Sequence, residues 1–387
     1  MRSLAQGMAQ RLCRLTPLWA LTLLFAALTV VAARAEPVTV VDIAGRSVTL
    51  PEPPQRIVLA EGRLMYGYGV LETEDPFGRI AGWAEDMVLY DPGTYRQYVA
   101  LFPEAADVPR FGSAYAGDFS VEKAIALDAD LVLLSLSAYY KVAQNGILDT
   151  LDAAGIPTVV VDFRESPLEN TAPSIDILGR LLGREDRARE FNDFYLSETR
   201  KVTVRAAQIP DGDRLPVVME RAAGYDPETC CLTFGDANLG AILEAAGGIN
   251  WGSSRFAGLG GQINPETLFA EDPAMIIGTG ADWSEAQPQS LGVPFGYETD
   301  AEAVQRALAV LAARPGWEAL GAVRNRQFYS VYHQFYMSPS HLVALQVFAK
   351  WMYPELFADL DPETVHAAYH ERFSPIPLSG VFWARLD

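Results

Sequence analysis

Cysteine and histidine are scarce in this sequence, and positive charge is outnumbered. Lys and Arg together number 30 against 49 Asp and Glu, a net charge of −19. Such an excess of acid excludes nucleic-acid binding by counterion release and suits solubility. Any anionic ligand must find a local cluster of arginines. The four histidines, His333, His341, His366 and His370, all fall late in the chain. A receptor for bare zinc or manganese would want several His and acids converging from both halves, which this set does not offer. His366 and His370 stand four apart on one predicted helix, either a metal pair or two surface residues. No G-x-S-x-G elbow, and so no hydrolase nucleophile of that kind, is present. No G-x-x-x-x-G-K-[ST] loop occurs, so the chain does not hold ATP itself. Gly67-x-Gly69 and Gly258-x-Gly260 lack the rest of a dinucleotide fingerprint.

Long apolar runs are absent outside the N-terminus. There, Arg2, Arg11 and Arg14 precede an apolar stretch from Leu18 to Ala32, and Ala33-Arg34-Ala35 reads as an A-x-A cleavage site before Glu36. The stretch is shorter than the about 20 residues of a spanning helix. A cleaved signal peptide over 1–35 is therefore expected. Cys13 lies too far upstream for a lipid anchor, so the mature chain is expected to diffuse freely in a Gram-negative periplasm. The leader carries four of the thirty basic residues and no acid, leaving 26 against 49 and a mature charge of −23. Cys230 and Cys231 are then the only thiols left, and they are adjacent. A vicinal disulfide, a free thiol pair and a soft-metal site all remain open.

At 387 residues the chain is long enough for two domains. Residues 38–50 alternate around Ala44-Gly45 as a hairpin. Arg56–Ala60, Leu131–Ser135 and Thr158–Val161 are short apolar strands separated by helical stretches near 119–127 and 141–154, the pattern of a covered parallel sheet. After Pro167 a helical connector begins. Gly183 interrupts it, and a long charged helix over about 184–208 carries Ala188, Phe191, Tyr195 and Val202 on one face. A second series comes next, with strands at 215–220, 275–279 and 327–332 and helices near 237–246, 265–271, 300–312, 339–352 and 362–372. The expected fold is α/β: two Rossmann-like lobes with parallel sheets, 36–166 and 213–387, joined through a connector over 167–212 by one long rigid helix, with a ligand cleft between the lobes.

Ligands of such proteins sit at the carboxyl ends of the strands. The residues following each recognised strand are Glu61, Arg63 and Tyr66; Tyr139 and Tyr140; Arg164; Arg221 and Tyr225; Trp283; and His333, Phe335 and Tyr336. A Gly-rich loop over 247–261 adds Trp251, Arg255 and Phe256. Arginine recognises anionic oxygens bidentately, and aromatics supply rigid apolar area. The set suits an anionic or oxygen-rich chelate.

FSVEKAIALDADLVLL (119–134) and INPETLFAEDPAMIIG (263–278) match at an offset of 144 residues. They are either an internal repeat or a generic helix-to-strand signature. As a repeat, they place Glu122 and Glu266 at equivalent points, one per lobe, each in the first turn of a helix where acids are favoured.

Several segments, in this order, resemble the class III solute-binding proteins of ABC importers, which serve iron-siderophores, haem and cobalamin. They are VTVVDIAGRSVTLPEPPQRIVLA, VEKAIALDADLVLLS, AAGIPTVVVD, ILGRLLGREDRA, AAGGIN with NPETLFAEDPAMII, WEALGAVRNRQFYSV and YMSPSHLVALQVFAKWMYPELF. Ala129 stands where proline is usual and Ala274 where Asp is common. The resemblance spans essentially all of the mature chain. It implies two lobes on a rigid helix, slight closure on ligand, and docking of Glu122 and Glu266 onto permease arginines. The Cys230-Cys231 pair resembles a feature of the iron-chelate branch. The resemblance therefore sets the expectation of a monomeric, non-catalytic receptor. It would bind a ferric siderophore or related metal chelate and pass it to an inner-membrane ABC permease with its ATPase, with no cofactor of its own. Haem or cobalamin is the alternative within the family, with Tyr66, Tyr140, His333 or Tyr336 as axial candidates for haem. A periplasmic chelate-processing enzyme and a signalling partner of a membrane sensor are the alternatives outside it.

Overall fold

Five short runs in the first half extend as strands, and three of them, at 57–59, 131–135 and 158–161, carry the apolar, non-alternating composition of strands buried on both faces. The five form the first sheet in a computed structural model that describes residues 36–228 and 230–387. The expected leader, Cys13 included, lies outside the described residues. A hairpin of β1 (Val38–Val41) and β2 (Ser47–Leu50) opens the fold, and Gly45 takes the left-handed conformation its turn needs. Strands β3 (Ile57–Leu59), β4 (Ile80–Ala84), β5 (Arg110–Phe111), β6 (Leu131–Ser135) and β7 (Thr158–Val161) then pair in the order β5-β4-β3-β6-β7, all parallel. The order reverses between β3 and β6, which opens a crevice at their carboxyl ends.

Two of these strands, β4 and β5, escape a reading of the sequence. β5 has two residues, and Gly82 interrupts β4 where its backbone must pass close to Leu127 and Phe111. The single helix expected near 141–154 is two, Leu136–Val142 and Ile147–Ala153.

The connector is built from Pro167–Leu182 and Glu185–Ala206. Gly183, at φ +67°, ends the first helix in a left-handed cap. The second helix runs about 33 Å at 1.5 Å per residue. It buries Phe191, Tyr195 and Val202 and leaves its Arg, Lys and Glu side chains largely outside. Tyr195 Oη lies 2.6 Å from His341 Nε2, and Gln346 Nε2 donates to Glu198, both partners on the helix His341–Met352.

The second sheet has seven strands: β8 (Pro216–Arg221), β9 (Leu232–Thr233), β10 (Ile249–Asn250), β11 (Gly261–Gln262), β12 (Ile276–Gly280), β13 (Phe328–Tyr332) and β14 (Trp383–Arg385). β10, β8, β12 and β13 are parallel. Three antiparallel strands, β9, β11 and β14, extend it and were not expected from the sequence. Residues 37–387 form one compact unit. No helix of the described residues is long and apolar enough to cross a membrane.

Candidate functional site

A cavity of about 400 Å3 opens between the two sheets, lined by residues that follow strand after strand. From the first sheet come Arg63 after β3, Asp86 and Tyr90 after β4, Ser113 and Tyr115 after β5, Lys141 after β6 and Arg164 after β7. The second sheet supplies Arg221 at the end of β8 and Tyr225 beyond it, Leu232 in β9, Trp283 after β12, and His333 and Tyr336 after β13. Parallel strands end at one edge of a sheet, so the residues leaving them converge there.

Four cations, Arg63, Lys141, Arg164 and Arg221, face one lining carboxylate, Asp86. Asp86 is spent: it accepts from Arg63 Nε at 2.7 Å and from the Gly62 backbone at 2.5 Å. Arg164 lies 3.6 Å from buried Glu61 and stacks over the Tyr115 ring at 4.0 Å. Burial works against the Arg164 charge, yet Tyr336, Glu61 and Tyr115 outweigh it and raise its pKa. Arg221 makes no ion pair among the described residues. Its pKa is lowered, first by burial, with Arg164 adding to the effect. Arg164 Nε and Nη1 and Arg221 Nε are buried donors without a hydrogen-bond partner among the described residues. Buried donors of this kind carry a penalty that an acceptor would remove.

The aromatic wall is equally ordered. Trp283 meets Tyr225 and His333 edge-on, at 5.2 and 5.4 Å between ring centres. His333 lies 4.6 Å from Tyr336, and its Nδ1 is 2.8 Å from Thr279 Oγ1. Burial, with Arg63, Arg221 and Arg164 nearby, holds its pKa well below 6.5. The imidazole is therefore neutral at neutral pH.

Of the candidates named from sequence, Arg63, Arg164, Arg221, Tyr225, Trp283, His333 and Tyr336 line this cavity. Five others do not. Tyr66 turns to the rear of the lobe junction and donates to Asp91 at 2.5 Å. Tyr139 packs under Arg46, and Tyr140 is exposed. Trp251 and Arg255 pair with each other and with Glu271, on the helix Pro265–Glu271 away from the cavity. Asp86, Tyr90, Ser113, Tyr115 and Lys141 were missed. The first four follow strands the sequence did not reveal. Lys141 lies a helical turn and a half beyond β6, where its Nζ donates to Tyr115 O and sits over that ring at 3.7 Å.

Cys230 and Cys231 are joined in a vicinal disulfide immediately before Leu232 of the cavity wall. Their sulfurs and Glu220 form one compact group, but Glu220 is held bidentately by Arg314. His366 and His370 are not surface residues. Both are buried against Phe382, with Nε2 atoms 3.2 Å apart, and His370 Nδ1 is 2.9 Å from Ile376 O.

Glu122 and Glu266 occupy matching places. Each is exposed in the first turn of a short helix, Val121–Ala126 or Pro265–Glu271, capped by Ser120 or Asn264 and leading into β6 or β12.

Two sheets facing a cation-lined cleft, bridged by one long helix, define a solute-binding protein. A family model described as periplasmic binding protein matches residues 89–334, more than half of the chain, and the chain belongs to that family. Among solved structures, the TroA-like periplasmic binding protein FepB from Veillonella parvula is 28% identical. The alignment covers 91% of this chain and 100% of that one, with a TM-score of 0.81. The molybdate periplasmic binding protein MolA of Haemophilus influenzae is 16% identical over 88% and 99% of the two chains, with a TM-score of 0.67. A protein of an ABC-type Fe3+-hydroxamate transport system from Saccharomonospora viridis is 20% identical over 82% and 99%, with a TM-score of 0.54. No curated protein matches the chain. The family is one of solute-binding proteins rather than enzymes, and membership implies the periplasm, a small ligand and an ABC permease with its ATPase.

Proposed function

We propose that this protein is the periplasmic receptor for an anionic iron chelate such as a ferric siderophore. The observation that carries the reading is the set of unpartnered buried donors on Arg164 and Arg221. In a protein of net charge −19, four cations against two carboxylates, Asp86 beside Arg63 and Glu61 beside Arg164, are a local inversion of sign. Anionic oxygens satisfy such donors with charge-assisted hydrogen bonds. A cavity of about 400 Å3 has the volume of an organic ligand rather than a bare ion. Tyr115, Tyr225, Trp283 and Tyr336 supply the rigid apolar contact.

After cleavage of the leader the receptor binds its chelate and docks through Glu122 and Glu266. Replacing both glutamates by Ala is expected to leave affinity near normal while abolishing uptake. Uptake that survives the double change removes the docking assignment.

The deciding experiment titrates Trp283 fluorescence in the mature protein against ferric hydroxamate, carboxylate and catecholate siderophores, haem, cobalamin and molybdate, with the iron-free siderophores alongside. Saturable quenching by a ferric siderophore, and weaker quenching by its iron-free form, is the expected result. Quenching by haem alone, with a Soret band, would transfer the reading to a haem receptor with Tyr225, His333 or Tyr336 as axial candidates. Silence towards all of them would overturn iron transport.

A further inference from the structure

Gln334 does not line the cleft, yet it touches what does. It is fully buried in the short helical turn His333–Met337 after β13, between the cleft residues His333 and Tyr336. Its side chain crosses to the other lobe. The amide oxygen accepts from Arg63 Nη1 at 3.0 Å, and the amide nitrogen donates to Tyr90 O at 2.7 Å. Arg63 Nη1 also donates to Tyr336 Oη at 2.7 Å, while Nε is taken by Asp86. Nη2 has no hydrogen-bond partner among the described residues, which leaves it as the one guanidinium nitrogen free for an acceptor. The planar fork of arginine transmits any rotation of Nε and Nη1 to Nη2.

We propose that Gln334 is a positioning residue for ligand recognition. It fixes the angle at which Arg63 presents Nη2, and through Tyr90 it ties that angle to the register of the two lobes. Asp86 holds one edge of the fork, and the Tyr336 hydroxyl, which can swing with its ring, leaves play at Nη1. The amide, anchored on the opposite sheet, removes it. The recognition role rests on the proposed function above; the placement of Arg63 does not.

The test separates the two. Phenylglyoxal labelling of arginines in the ligand-free mature protein, read residue by residue by mass spectrometry, reports Arg63 directly. In Gln334→Met, close in volume but without the amide, Arg63 is expected to label about 10-fold faster, the loss of one hydrogen bond to a charged group, with Arg164 unchanged. Gln334→Glu loses the donor to Tyr90 O but retains the oxygen that accepts from Arg63, now as a charged partner, and is expected to label Arg63 no faster than wild type. A folded Gln334→Met with unchanged Arg63 labelling, or a Gln334→Glu in which labelling rises, overturns the proposal. The second variant decides the matter if the first does not fold. In the fluorescence titration with ferric catecholate and ferric carboxylate siderophores, Gln334→Met should weaken binding about 10-fold in the wild-type background and not further once Arg63 is Ala. An undiminished effect in the Arg63→Ala background would mean that Gln334 does not act through Arg63. If no siderophore binds the wild type, the functional reading fails and the labelling result stands.

Discussion

The lobe junction has two faces, and they use similar side chains to opposite ends. The front face is the cleft. The rear face surrounds a small cavity of about 40 Å3 lined by Tyr66, Thr94, Tyr332, His366, His370 and their neighbours. Both are rich in tyrosine and both carry histidine. At the rear, polar groups answer one another. Asp91 accepts from Tyr66 and Tyr332, each at 2.5 Å and one from each side of the junction, and Thr94 Oγ1 lies 3.3 Å from Tyr332 Oη. His366 and His370 share a contact, and His370 finds a carbonyl. At the front, Arg164 and Arg221 keep donors without partners. Residue type alone does not distinguish a seam from a site. Unspent hydrogen-bonding capacity does, because a seam gains stability from pairing whereas a site must hold capacity for its ligand.

The comparison can be broken from the front first. Arg221→Ala removes a cleft donor that is in no ion pair, and is expected to weaken chelate binding about 10- to 100-fold with little change in melting temperature. Equal affinity for mutant and wild type by fluorescence titration would refute the front-face assignment. From the rear, Asp91→Ala leaves the buried Tyr66 hydroxyl unpaired and Tyr332 with the Thr94 hydroxyl alone, at about 1–3 kcal/mol for each bond lost. Unfolding in urea is expected to show a loss of about 2–4 kcal/mol, and an unchanged midpoint would show that the seam is not held there.

Acid sharpens the same contrast. Burial lowers the pKa of all four histidines, to about 4 for His370 and about 3 for His341, and well below 6.5 for His366 and His333. Unfolded imidazoles titrate near 6.5. Below that value the unfolded chain binds more protons, so stability is fully present at pH 7 and falls as pH drops from 6.5 towards 4. Asp91 and Glu61, raised by burial from 3.8 and 4.5, act in the opposite sense above those values but are fewer. Melting temperature is therefore expected to fall from pH 7 to pH 5, and less steeply in His370→Gln. A flat profile would contradict the burial of these rings. The smallest effect belongs to Arg255→Ala. Its guanidinium is committed to Glu271 outside the cleft, so affinity should stay within about twofold. A larger loss would extend the site to the 247–261 loop.

Much of the scaffold was legible. Leu131–Ser135 and Thr158–Val161 are apolar without alternation because helices or loops cover both faces, and they became adjacent parallel strands. Phe191, Tyr195 and Val202 marked the buried face of the long helix. Seven cleft-lining residues could be named because they follow recognisable strands. Tyr90, Ser113 and Tyr115 could not, since β4 and β5 are too short, and β4 too glycine-interrupted, to show a period. Nothing in the local pattern at Gln334 signals its reach to Arg63, 271 residues away.

By itself, then, the sequence determined the α/β architecture, the acidic exterior and the family, because these come from periodicity, charge and segment order, all local or additive along the chain. The tertiary structure alone decided which arginines keep free donors, which aromatics face the cleft and which seal its rear, and that Gln334 spans the lobes. Those properties depend on which groups meet across the junction, and pairing between distant segments leaves no trace in the spacing of either one.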